Sequence, residues 1–173
     1  MGENRYRVRI FYRREGPGKF ISANYLQKVF ERALRRAGLP MAFSKGFSPR
    51  PLISFGPSPG VGIPGENELM ELVLLEKVDL EIVKNNVNSF LPEGMLISDC
   101  RYMEEGRPAG LPVKAAYRIR KTHPIPETLP EGWRVVRDEG SIIEVEIEIN
   151  CVKTRTLDEI FGLENIIIRK LIF

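Results

Sequence analysis

An α+β fold built from two β-α-β-β-α-β units is what this sequence predicts. Three observations carry it. Residues 5–13 alternate in polarity with a period of two. Residues 22–38 hold an apolar stripe at helical spacing, with a stop signal at each end. The element order of the first hundred residues then recurs, shortened, in the remainder.

In the first strand, Tyr6, Val8, Ile10 and Tyr12 share one face, and Arg5, Arg7, Arg9, Phe11 and Arg13 share the other. The first set is expected to pack on helices. The second is basic with one aromatic in it. Gly16, Pro17 and Gly18 break the strand. Ser22 is placed to cap a helix, Gly38 sits where a left-handed residue ends one, and Pro40 blocks continuation. Between them, Leu26, Val29, Phe30, Ala33, Leu34 and Ala37 form the inward face, while Lys28, Arg32, Arg35 and Arg36 share an outward one. Glu31 precedes Arg35 by one turn and is expected to pair with it.

Residues 44–65 are turn-rich, with a short strand at 52–55 that its prolines confine to an edge or a strand end. Residues 69–75 form the next strand. Asp79 caps a second helix that turns Leu80, Val83, Val87, Phe90 and Leu91 inward. Pro92 and Gly94 end it, and a strand at 95–101 closes the unit. Residues 104–111, with Gly106, Pro108 and Gly110, read as a linker.

The second unit opens with a strand at 114–121. Residues 122–132 are proline-rich, so its first helix is lost. Strands at 133–137 and 141–149 make a hairpin around Asp138, Glu139 and Gly140. Thr156 and Glu159 fit a capping box for a short helix that Gly162 ends. A terminal strand covers 166–172. The tetrapeptide Leu-Pro-Glu-Gly stands at 91–94 and again at 129–132, ahead of a strand each time. The pattern is that of tandem ferredoxin-like units, antiparallel sheets with helices on one face, the second unit degenerate. The expected boundaries are 1–104 and 112–173.

Charge is distributed unevenly. Residues 1–60 hold 12 Lys/Arg against 3 Asp/Glu, and residues 61–173 hold 14 against 20. The asymmetry predicts either an anionic partner for the first part or charge pairing between the parts. For the basic strand face, Arg7 and Arg9 could contact phosphate while Phe11 stacks a base. Equally, they could pair with Glu144, Glu146 and Glu148 if the two strands are neighbours. The helix face is joined by the segment Ser44, Lys45, Gly46, Phe47, Ser48, Pro49 and Arg50. It offers cations, hydroxyls and a glycine for close backbone approach to phosphate, or else a tight turn anchored by Phe47 and Pro49. Glycines 56, 60, 62 and 65 lack the strand–helix context of a nucleotide loop.

Catalytic signals are weak. His123 is the only histidine and lies between Thr122 and Pro124 in a loop expected to be solvated. No carboxylate pair has hydrolase spacing. Cys100 and Cys151 make neither a metal motif nor a redox pair, so no metal or cofactor is expected and a reducing, cytoplasmic compartment is. No apolar run approaches the roughly 20 residues of a membrane span. A single glutamine, Gln27, amid abundant Glu, Lys, Arg and Ile leans toward a thermophile.

Phe20, Ile21, Ser22 and Ala23, the run from Phe30 to Pro40, the run from Ser44 to Pro51, and Ile53, Ser54 and Phe55 together resemble the radical-SAM-linked domain of unknown function. That domain is encoded beside, or fused to, a cobalamin-type radical SAM protein. The resemblance covers residues 5–103 and fades beyond. It implies a radical SAM partner, which would perform any radical chemistry, since the three close cysteines of a cluster motif are absent here. The family reads Phe-Leu-Ser-His-Leu-Asp at the start of the helix. This chain has Ala23 and Tyr25 where the His and Asp stand, so acid–base chemistry by that pair cannot run here. A more distant, fold-level similarity is to the RAMP endoribonucleases of CRISPR systems, whose C-terminal glycine-rich loop has no counterpart here.

The expectation is therefore a non-enzymatic accessory protein that binds RNA, tRNA or rRNA included. Its contact residues would be Arg7, Arg9, Phe11, Lys28, Arg32, Arg35, Arg36, Lys45, Phe47, Ser48 and Arg50. The alternatives are a docking module for the radical SAM partner and a metal-independent ribonuclease. Arg32 and Arg36 with Lys45 and Arg50 make the favoured patch.

Overall fold

Period-two alternation does form a strand: β1 spans Tyr6–Arg14 in the computed structural model, which describes residues 5–104, 111–152 and 154–173. Its Val8, Ile10 and Tyr12 are buried together with Leu26, Phe30, Ala33 and Leu34 of α1, Ala23–Arg36. Ser22 caps α1 by accepting a hydrogen bond from the Tyr25 backbone N–H. Gly38, at φ 70°, donates to the Arg35 carbonyl and turns the chain out of the helix. Burying a leucine or phenylalanine from this stripe contributes about 2 kcal/mol each, so that Leu26, Phe30 and Leu34 together outweigh the cap, worth about 1 kcal/mol.

β2 (Ile53–Phe55) lies on the edge of β3 (Gly65–Leu74), paired antiparallel to it. β3 begins four residues earlier than its apolar pattern predicts. Asn67, at φ 60°, lets the chain bulge there while continuing to pair with β1. α2 (Leu80–Asn88) is capped by Asp79 and adds Val83 and Val87 to the same core. β4 (Met95–Tyr102) pairs with the far side of β1.

The second half follows the predicted order: β5 (Lys114–Arg120), β6 (Trp133–Asp138), β7 (Ile142–Glu148), α3 (Thr154–Phe161) and β8 (Ile166–Ile172). Residues 122–132 hold no helix, as their prolines require. The proposed capping box is displaced. α3 starts at Thr154, so Thr156 lies inside it, and Glu159 instead accepts from Arg155. The expected linker, residues 104–111, falls largely on residues 105–110, outside the described residues.

All eight strands make one mostly antiparallel sheet, ordered β4-β1-β3-β8-β5-β7-β6, with β2 on β3. Reading outward from each half's fourth strand, the order is fourth, first, third, second, and it is the same in both halves. The halves join where β3 and β8 run parallel for two residue pairs, Gly65 with Arg169 and Glu66 with Lys170. A second core gathers Ile119, Ile143, Val145, Ile147, Leu157 of α3 and Leu171, and reaches across the join to Phe11 and Leu69.

Candidate nucleic-acid interface

The outward face of α1 carries the first group of predicted residues. Lys28, Arg32, Arg35 and Arg36 are all exposed, because the stripe that buries Leu26, Phe30 and Leu34 points them away from the sheet. The expected Glu31–Arg35 pair is not the arrangement found. Glu31 accepts from Gln27 Nε2 at 3.0 Å, and the Arg35 guanidinium lies 5.1 Å over the Phe43 ring. Arg36 lies 4.7 Å over Phe90. An aromatic face steadies a cation without neutralising it, so both remain available to an anion.

Phe43 leads directly into the loop of residues 44–50. Ser44 clamps this loop at its base: its N–H donates to the Arg50 carbonyl at 2.8 Å, and its hydroxyl accepts from the Arg50 N–H at 3.0 Å. Below the clamp, Ala42 bonds to Val73 of β3 and Leu52 to Ala42. Gly46, at φ 132°, supplies a conformation that side-chain-bearing residues rarely adopt. Lys45, Ser48 and Arg50 are exposed, and Phe47 is 110% exposed at the tip. Phe47 therefore does not anchor the turn. Glu31, which accepts from Gln27, is the only acidic residue from Lys28 to Arg50, and none follows it before Glu66.

The strand face is different. Arg9 and Phe11 are 3% and 4% exposed, so this is no open sheet surface. Arg9 bonds to the carboxylate of Glu71, its cross-strand neighbour on β3, at 2.8 and 3.2 Å. The Phe173 ring packs edge-on against Phe11 at 5.6 Å, and Arg101 covers Phe11 at 4.6 Å. The alternative of pairing with Glu144, Glu146 and Glu148 also fails, because β8 and β5 separate β3 from β7. Glu146 is held instead by Arg134 and Lys114. Arg7 remains exposed on β1, apart from these contacts.

One polar cluster escaped the sequence reading. Tyr12, Arg14, Glu68, Tyr117 and Arg169 are each at most 2% exposed, at the join between the halves. Arg14 donates to the carbonyls of Lys19 and Ile21, the latter at 2.9 Å, and Arg169 donates to the Pro57 carbonyl at 2.8 Å. Two guanidiniums face one carboxylate. Burial raises Glu68 to about 7, against the pull of Arg169 and Arg14. Burial likewise pushes the Tyr117 hydroxyl up to about 12 and Arg14 below its ordinary value. Extending the period of two by one residue past Arg13 would have placed Arg14 on the buried face beside Tyr12.

His123 is exposed, and its Nδ1 lies 2.9 Å from the Thr122 hydroxyl. Its neighbour Lys121 is engaged by Asp138 at 2.8 Å. Cys100 and Cys151 are both reduced. Among the described residues, no group of His, Cys, Asp and Glu is arranged to hold a metal ion, and no helix is long and apolar enough to cross a membrane.

No curated protein matches the chain. A family model does, over residues 7–162, which takes in the α1 surface, the 44–50 loop and most of the second half. The chain therefore belongs to the family described as uncharacterized proteins conserved in bacteria, DUF2344.

Proposed function

We propose that this protein is an RNA-binding accessory factor that works beside a radical SAM enzyme, and that α1 and the 44–50 loop form its contact surface. The observation that carries the reading is the continuity of this surface. Lys28, Arg32, Arg35 and Arg36 on one exposed helix face meet Lys45 and Arg50 through the Arg35–Phe43 contact, with no acidic residue between Glu31 and Glu66. Such a cluster binds phosphates by releasing counterions, without reading sequence. The radical SAM association is supported by the resemblance over residues 5–103 alone.

The repeated strand order in the two halves supports reading them as tandem ferredoxin-like units, the second without its first helix. In this reading RNA is not bound on the strand face of Arg9 and Phe11, which is covered. It is bound on the helix side of the first unit. No catalytic role is assigned to the surface.

Fluorescence anisotropy with labelled tRNA across a salt series tests this. Affinity is expected to fall with a log–log slope of around −3, about 0.7 to 0.9 per phosphate neutralised. Reversing Arg32, Arg36, Lys45 and Arg50 together to Glu should abolish binding without altering the thermal midpoint by more than a few degrees. A salt-independent signal, or binding that survives the quadruple reversal, would overturn the assignment. Co-purification with the radical SAM enzyme that persists after ribonuclease treatment and depends on the same four residues would assign the surface to protein docking instead.

A further inference from the structure

We infer that this surface selects single-stranded RNA, with the Phe47 ring stacking on an unpaired base. The inference rests on the RNA-binding reading of the same surface and adds the class of RNA it takes. Phe47 is 110% exposed and belongs to neither core cluster, so folding does not explain its being aromatic. Its loop is nevertheless held at the base by the two Ser44–Arg50 hydrogen bonds, so the ring is presented on a closed turn. Lys45 and Arg50 flank it in sequence. Cations on either side of an unburied ring are what a nucleotide needs, with phosphate contacts to place it and a flat apolar face for the base.

A second ring extends the pattern. Tyr25, 48% exposed, lies on the same helical face as Lys28, Arg32 and Arg36, at the opposite end of α1 from the loop. Eleven residues at 1.5 Å rise separate Tyr25 from Arg36, roughly 16 Å. Phe20, 62% exposed, precedes the helix with Lys19 over its ring at 5.1 Å. The surface thus runs aromatic, basic, aromatic. A duplex keeps its base faces inside the stack and can meet only the cations. A single strand can meet both, so the rings discriminate between the two.

The test compares three labelled 12-mers by anisotropy: a single strand, the same strand annealed to its complement, and the single strand with its central bases replaced by abasic sites. Wild type is expected to bind the single strand about ten-fold more tightly than the other two, the order of one stacked base. Phe47→Ala should cut that preference several-fold, leaving only what Tyr25 and Phe20 contribute, with the salt slope unchanged. Phe47→Trp should retain it, and its emission should be quenched by the single strand but not by the abasic or duplex forms. The one native tryptophan, Trp133, is 7% exposed and gives a constant background. Equal affinity for all three RNAs, or a Phe47→Ala variant whose preference for the single strand is undiminished, would overturn this inference while salt-dependent binding upheld the broader reading. Failure of all three to bind at low salt would overturn both.

Discussion

Arg169 of the last strand stands 3.6 Å from Glu68 of β3, and both side chains are 1% exposed. This pair spans the short parallel contact that joins the two halves of the sheet. The Glu68 carboxyl is raised to about 7, chiefly by burial, from an ordinary value of 4.5. Between those two values the folded protein holds a proton that the unfolded chain has released. The associated stability is therefore fully present below pH 4.5 and lost as pH rises through 7. The loss is on the order of 3 kcal/mol. Urea midpoints at pH 5 and pH 8 should show the wild type weaker at pH 8, and Glu68→Gln should flatten that difference. An equal slope in both proteins would mean that Glu68 is ionised throughout.

Arg169→Met tests the same join from the other side. It removes the ion pair and the bond to the Pro57 carbonyl, leaving Glu68 buried with Arg14 as its remaining cation. At pH 8, where Glu68 of the wild type is ionised, breaking the buried pair should cost up to about 3–5 kcal/mol, through a stranded charge or the protonation that avoids it. Adding Glu68→Gln should recover a large part of that loss. A double variant no more stable than Arg169→Met alone would show that the two groups are not coupled.

The fold was legible where local chemistry is decisive. Ser22, Gly38 and Asp79 mark helix ends because capping depends on neighbours within a turn, and the structure places all three as expected. The terminal strand and the hairpin at Gly140 follow for the same reason. What failed depends on partners distant in sequence. Arg9 looked available because its period of two says only which face it occupies, not that Glu71 and Phe173 cover that face. Glu144, Glu146 and Glu148 looked like partners because sequence alone does not fix strand order. The helix and loop cations were readable, since exposure there follows from the buried stripe of α1 and from the proline and glycine content of residues 44–50.

Gly18 is held by a contact no sequence pattern announces. A Cβ at this position would lie 2.4 Å from the Gly94 carbonyl oxygen, and that atom is backbone. Glu15 also bonds to the Gly94 carbonyl, at 2.8 Å, so the turn after β1 and the turn before β4 are locked together. Gly18→Ala should cost about 2–4 kcal/mol, lowering the thermal midpoint by roughly 5–15 °C. Gly38→Ala is the comparison. Nothing lies within 4 Å of its Cβ, and only the left-handed backbone, φ 70°, resists it. It should cost about 1 kcal/mol. Equal midpoints for the two variants would contradict the close approach.

Arg7 and Arg9 share a strand face and differ only in what covers them. Arg9 is buried and bonded to Glu71, whereas Arg7 is exposed. Arg9→Ala leaves the Glu71 carboxylate, 16% exposed, without this partner, and should destabilise by about 2 kcal/mol. Arg7→Ala should change stability by less than about 0.5 kcal/mol, as surface substitutions do. Neither should alter the salt slope of RNA binding, because both lie off the α1 surface. Urea unfolding and anisotropy on the same two preparations decide it. An Arg9→Ala variant that is stable but deficient in RNA binding would return the strand face to the interface and displace α1 from it.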